Sequence, residues 1–377
     1  MIQSPGVLLT VLAFVLVIGP LVFIHELGHY LAGRLFGVHA EAFAIGFGRE
    51  VAGFTDRRGT RWKFGWMPLG GYVKFAGDMN PASQPDAAWL ALPPAERART
   101  FQAKPVWQRA IIVAAGPAVN FVLAILILGG FAVAYGDART PATVGLVEPG
   151  SAAASAGLRT GDRITALNGR EVGYFEEVVG FVQIRPGERI RVDYVRDGGA
   201  ASTEAVLGAR RERDRFGNEY RFGRLGVGTP APVIEPVGLA EAPGVALRRT
   251  GDIVSLMVET LGQIISGRRP ISELGGPLQI AKVAGEQFTL GPSAFVFLLA
   301  LVSINLGFIN LLPVPMLDGG HLLFYAIEAV RRRPLEPQVQ EWAFRGGLAA
   351  LLALMMLVTF NDLGAFGLWK NLAGLIG

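Results

Sequence analysis

Four stretches of the chain carry no charged side chain: residues 6 to 24, 110 to 136, 287 to 317 and 346 to 361. At about 1.5 Å of rise per residue, a helix over the first nearly crosses a hydrocarbon core of roughly 30 Å. The pattern predicts four membrane-spanning helices, the fourth continuing past Asp362 toward Trp369. The first reads as a retained span and not as a removable signal peptide, since no Lys or Arg precedes it and no small-residue cleavage site follows. Two prolines and two glycines in Leu312-Pro313-Val314-Pro315-Met316-Leu317-Asp318-Gly319-Gly320 predict that the third block ends in broken helix. Such backbone is tolerated at membrane depth only where protein or a wet cavity surrounds it.

Between the second and third blocks the texture changes. Pro149-Gly150, Gly161-Asp162, Asn168-Gly169, Pro186-Gly187 and Asp197-Gly198 punctuate short runs such as Arg189 to Val195, in which charged and apolar residues alternate. Alternation between turn signals predicts a small β-rich domain over about Ala142 to Thr229. The run from Pro149 to Ile164, closed by Asn168-Gly169, resembles a PDZ domain of the bacterial protease type. That resemblance implies capture of a peptide terminus by strand addition. Residues 239 to 265 mix Val245, Leu247, Ile253, Leu256, Leu261 and Ile264 with Arg248, Arg249, Asp252 and Glu259. They predict an amphipathic helix, either lying on the membrane surface or packed on the β-rich domain. Nearer the N-terminus, Trp62, Phe64 and Trp66 alternate with Arg61, Lys63 and Gly65, a strand pattern.

Composition narrows the picture. Of 377 residues 51% are hydrophobic and 18% charged, too apolar for an ordinary soluble enzyme. The absence of Cys excludes disulfides, thiolate metal ligands and a Cys nucleophile. A net charge of +4 scattered between apolar blocks argues against a nucleic-acid partner. Its distribution does set an orientation. Segment 34 to 106 holds ten Lys and Arg, and the loop from Ala326 to Gly347 holds four, which by the positive-inside rule makes both cytoplasmic. The segment 137 to 286 and both termini then lie outside.

The chemistry concentrates in His25-Glu26-Leu27-Gly28-His29, at the inner end of the first span. On a helix His25 and His29 project from one face at the spacing two imidazoles need to share a zinc ion. Glu26 lies beside them, placed to act as a base toward water at the metal. Ionisable residues within a span are functional candidates by default. A catalytic zinc takes three protein ligands and leaves one position open. Asp318 is the expected third ligand, with His321 as rival. His39, in the polar loop, is expected to be solvated, and Asp362 to reach the interface. Asn120 and Asn310 are amides within apolar blocks and should each have a partner.

The pairing of His25-Glu26-Leu27-Gly28-His29 with Asn310-Leu311-Leu312-Pro313-Val314-Pro315-Met316-Leu317-Asp318-Gly319-Gly320 resembles the site-2 protease family of intramembrane zinc metalloproteases, in its bacterial regulator-of-sigma-E type. Gly116-Pro117-Ala118-Val119-Asn120-Phe121 adds to the likeness, which covers essentially the whole chain, with one PDZ domain where the best-known member has two. The resemblance implies one zinc per chain held by His25, His29 and Asp318, with Glu26 as the base. It implies substrate contacts by Asn310, by Pro313 and Pro315, and by a membrane-associated β-hairpin containing Gly46 and Gly48. The implied substrates are single-span membrane proteins, of the trimmed anti-sigma-factor kind, and remnant signal peptides. The implied place is the bacterial inner membrane, with the PDZ domain periplasmic and the active site toward the cytoplasm.

The expected fold is thus a polytopic α-helical membrane protein with four transmembrane helices, a membrane-associated β-hairpin and an inserted β-rich PDZ domain. Its divisions are 1–136, the PDZ domain at 137–230, an amphipathic region at 231–286, and 287–377 with the Asp-bearing broken helix. The competing readings are a catalytically idle membrane scaffold that presents its PDZ domain, which the intact ligand set opposes, and a transporter, which the lack of a repeated half opposes.

Overall fold

The uninterrupted apolar run at the start folds as one long helix, α1 (Val7–Leu35), which carries Pro20 within it. A helix satisfies its own backbone groups, as a segment surrounded by hydrocarbon must. The computed structural model describes residues 6–78, 91–213, 219–229, 233–270, 275–333 and 335–365. Two units emerge, one of residues 1–128 and 275–360, the other of residues 129–274 and 361–377.

In the first unit α1 leads into β1 (Ala40–Thr55) and β2 (Arg61–Phe75). This is more than a plain hairpin, because both strands bend at glycines. Ala42 partners both Arg61 and Lys74, and Ile45 both Phe64 and Gly71, so the first half of β1 lies between the two halves of β2. The second half of β1 pairs back on Arg61 to Gly65. Phe43 stacks on Trp62 with ring centroids 4.3 Å apart. Tyr30, Phe43, Val73, Phe75, Phe101 and Ile112 form one buried cluster that fastens this sheet to α1. A short α2 (Pro94–Arg97) precedes α3 (Val106–Tyr135), the second long apolar helix.

The second unit contains, in order, β3 (Asp137–Ala138), β4 (Leu146–Val147), α4 (Ala152–Ser155), β5 (Arg163–Leu167), β6 (Arg170–Glu171), α5 (Phe175–Gln183), β7 (Arg189–Arg196), β8 (Gly199–Val206), β9 (Gly208–Arg213), β10 (Glu219–Arg224), β11 (Val227–Gly228), β12 (Ile234–Glu235) and α6 (Ala242–Ile265). Its main sheet has the order β6-β5-β7-β8, and β11 returns to pair with β4. The alternation along β7 buries Ile190, Val192 and Tyr194 against Ile164, Leu167, Val178 and Phe181. Asn168 and Gly169 turn the chain from β5 to β6 with φ of 50° and 80°, the left-handed pair that a tight hairpin needs. The helix expected over 239 to 265 forms as α6 and is packed: Ala242 and Val245 lie against Ala132 and Val237. Arg248 and Arg249 reach Asp137, and Glu259 pairs with Arg185 beside α5.

Back in the first unit come α7 (Pro277–Leu290), α8 (Pro292–Leu311), α9 (Asp318–Arg331) and α10 (Pro337–Ala365). The apolar block 287 to 317 is therefore not one helix. Gly291, at φ 111°, separates α7 from α8, and the chain leaves helix again after Leu311. α7 packs Val283 and Ala284 against Ala13, Val17 and Leu21 of α1. The basic loop expected from Ala326 to Gly347 is also largely helical, since α9 runs to Arg331 and α10 starts at Pro337. Extension of the last span to Trp369 lies outside the described residues, and Asp362 is buried, not surface-presented.

Among the described residues four helices are long and apolar enough to cross a membrane: Val7–Leu35, Val106–Tyr135, Pro292–Asn310 and Gln338–Phe360. They leave Val7, Leu8, Leu126 and Met356 more than two-thirds exposed. Patches of that kind are unfavourable in water and cost nothing against lipid.

Candidate metal centre

One turn of α1 separates His25 from His29, and their Nε2 atoms lie 3.2 Å apart. Asp318 completes the group, with Oδ2 3.1 Å from His25 Nε2 and Oδ1 3.5 Å from His29 Nε2. The three side chains are at most 17% exposed. Four ligands about 2.0–2.1 Å from a tetrahedral zinc stand roughly 3.3–3.4 Å from one another, which these separations bracket. Asp318 Oδ2 is buried and accepts no hydrogen bond. A carboxylate that faces two imidazole nitrogens and keeps one oxygen without a hydrogen bond is part of a donor set for a divalent cation, and buried charge otherwise needs a partner. The residues fit zinc. Among the described residues no other group of three His, Asp or Glu side chains converges in this way.

Local chemistry explains each placement. Gly28 of α1 lies against the backbone of Ala115, and a Cβ on Gly116 of α3 would run into the His29 ring. That close approach lets His29 Nδ1 donate to the Ile112 carbonyl at 2.9 Å, which leaves its Nε2 lone pair facing Asp318. Asp318 is the first residue of α9, where the positive end of the helix dipole favours a carboxylate. The segment from Leu312 to Leu317 that delivers it carries Met316 at φ 82°, a strained conformation for a side chain of that kind. Arg109 of α3 donates to Glu328 at 2.7 Å and lies 4.9 Å from the Tyr325 ring centre, so α9 is fastened to the helix that holds His29.

These side chains open onto a cavity of about 560 Å³, lined also by Glu26, Asn310, His321 and the segment Gly70 to Val73. Gly71 of β2 lies against the Glu26 side chain, so β2 touches the site directly. Gly46 and Gly48 do not line the cavity. They form the bend of β1, against the Met67 carbonyl and the Trp66 ring, and the sheet faces the cavity with Phe47 and Gly70 to Val73 instead. Pro313 and Pro315 are likewise not lining residues; they shape the irregular segment, with Pro315 packed on Gly347. His321 lies outside the ligand triangle, its ring 5.0 Å from that of Phe344. His39 is half-buried with Nδ1 unpartnered, not freely solvated.

Sequence reasoning left Asn120 without a role. In the structure its Nδ2 is 3.1 Å from His25 Nδ1. The available signal was spacing: Gly116 and Asn120 are four apart on α3, as His25 and His29 are on α1, and the two pairs face each other in opposite order.

The description Peptidase family M50 matches residues 13–354. A protein of Agrobacterium fabrum assigned by name to the zinc metalloproteases is 44% identical over 361 residues, covering 94% of this chain and 96% of its own. One of Rhizobium meliloti, named in the same way, is 42% identical over 94% of this chain and 96% of its own. Metalloprotease MmpA of Caulobacter vibrioides is 36% identical over 98% of this chain and 99% of its own. Among solved structures, the PDZ domain of the SdrC-like protein from Listeria monocytogenes matches 25% of this chain and 90% of its own at 19% identity, with a TM-score of 0.19, too slight a likeness to bear on the fold.

Proposed function

This chain belongs to peptidase family M50, the site-2 proteases, and is a membrane zinc metalloprotease; from that premise we propose how its own residues hydrolyse a peptide bond. His25, His29 and Asp318 hold one zinc, and Glu26 is the general base. Zinc bound there supplies Lewis acidity, polarising the scissile carbonyl and acidifying water. Glu26 takes the proton of the attacking water and returns it to the departing nitrogen. Gly71 packs against its side chain where both line the cavity. The observation that carries this reading is the buried triangle of ligand atoms with an orphaned Asp318 oxygen, opening with Glu26 onto one cavity.

The substrate is a single-span membrane protein, of the trimmed anti-sigma-factor or remnant-signal-peptide kind. A helical substrate hides its carbonyls in its own hydrogen bonds and must unwind before cleavage. The segment Gly70 to Val73 offers strand edge to the extended chain, and Asn310 an amide near the scissile bond. The site faces the cytoplasmic side of the bacterial inner membrane. Residues 142–229 form one periplasmic PDZ domain, supported by the return of β11 to β4 beside the four-stranded sheet. That domain screens out substrates with bulky external parts.

The deciding experiment is Glu26→Gln in purified protein given a single-span test substrate. Zinc content stays at about one per chain, and cleavage falls by at least the 10²–10⁴ typical of losing a general base. Full activity in this variant would remove Glu26 from the mechanism.

A further inference from the structure

The two imidazoles of the centre are held from behind in different ways. His29 leans on a main-chain acceptor, the Ile112 carbonyl, which admits only a protonated Nδ1. His25 has a side chain behind it, the Asn120 amide, on a residue that is wholly buried. Asn120 Oδ1 has no hydrogen-bond partner, although its Nδ2 lies 3.1 Å from His25 Nδ1. The two ends of a primary amide have nearly the same shape, and a half-turn about the Cβ–Cγ bond exchanges them. After that turn Oδ1 accepts from Nδ1–H, and His25 Nε2 is left with its lone pair toward Asp318.

We propose that Asn120 is the positioning residue of the zinc centre: its amide oxygen holds His25 Nδ1–H and fixes the ring with Nε2 offered to the metal. The proposal rests on the assignment of His25 as a zinc ligand. Two further contacts make Asn120 suited to the task. Its backbone carbonyl accepts from Ser303 Oγ at 2.8 Å, which ties α8 to the same turn of α3. Gly116, one turn earlier, permits the close approach of α1 that brings the amide within reach of the ring. Outer partners of metal-bound imidazoles generally set ring orientation and the protonated nitrogen, and removing one weakens metal binding roughly 10–100-fold.

The test measures zinc affinity by chelator competition on the purified full-length protein, beside melting of each variant in excess chelator. Asn120→Leu, of similar volume and with no acceptor, weakens zinc binding roughly 10–100-fold. Asn120→Asp, which keeps an oxygen at the same place, returns the affinity to within a few-fold of the parent. Parental zinc affinity in Asn120→Leu overturns the proposal, as does equal weakening in the Leu and Asp variants, which would make the residue a packing element. Should Asn120→Leu also melt lower without metal, recovery of affinity in Asn120→Asp still decides between the two. His25→Ala serves as the reference: if it binds zinc like the parent, the ligand assignment fails, and that outcome is distinct from any result at position 120.

Discussion

Two aspartates, one in each unit, show how differently the same side chain can be used. Asp162 in the β-rich unit is saturated. Arg196 donates Nε to Oδ1 and Nη2 to Oδ2, each at 2.7 Å, and the Arg159 amide adds a bond to Oδ2, also at 2.7 Å. Hydrogen bonding by the Arg196 guanidinium holds the Asp162 carboxyl below the usual carboxylate range. Asp318 in the helical unit faces two imidazoles and keeps one oxygen without a hydrogen bond. A carboxylate whose lone pairs are spent on a guanidinium fork braces a loop against a strand. One that instead converges with two imidazole nitrogens forms a donor set that a divalent cation could share.

Substitution should separate the two roles sharply. Asp318→Ala is expected to abolish cleavage and to weaken zinc binding by more than about 100-fold, beyond the range for outer-sphere partners. His321→Ala should keep its zinc, since the imidazole lies outside the triangle. Metal analysis of both proteins checks this, and metal loss in the second with retention in the first would exchange their roles.

The next effect in size belongs to the fastening of α9. Arg109→Met strands Glu328, whose side chain is only 15% exposed, and should destabilise the helical unit by about 3 kcal/mol. Because Asp318 heads the same helix, zinc affinity should fall with it. Denaturation followed in parallel with zinc competition tests the link, and a destabilised protein with parental affinity would break it.

The smallest effects concern Asp162. Asp162→Asn should destabilise the β-rich unit by about 2 kcal/mol, the worth of a charge-assisted bond, with zinc affinity unchanged. The pH dependence has a definite sign. Asp162 titrates near 3.9 in the unfolded chain and lower in the fold, so its stabilisation is complete above about pH 4 and drains as pH falls through the folded value. Hydrogen exchange of the β5 to β8 amides in the full chain should show that acid loss, and Asp162→Asn should flatten it.

Much of this was legible in the sequence for physical reasons. An uncharged run long enough for the bilayer has few alternatives to helix, and His25 and His29 share a face wherever that helix forms. Alternation along β7 and the Asn168-Gly169 turn are local signals that local structure obeys. What escaped notice depends on contacts distant in sequence. Gly291 is one glycine in an apolar block, and only the packing of Ala284 on Ala13 and Val17 shows that a separate helix ends there. Gly46 and Gly48 stand in the hairpin that the resemblance implies, yet the arm of the sheet that faces the cavity is set by how both strands fold back. Asn120 showed as a lone amide whose partner lies 95 residues away.

The order in which the ligands occur along the chain governs when proteolysis can begin. His25, His29, Gly116 and Asn120 all leave the ribosome before Asp318, which follows Asn120 by roughly 200 residues; at 5–20 residues per second that is about 10–40 s of translation. On the proposed assignment, the nascent enzyme through that interval has two imidazoles and a base without the carboxylate that completes them. With that ligand set, a peptidase inserted among other newly made membrane helices would stay inert until α8 and α9 are in place.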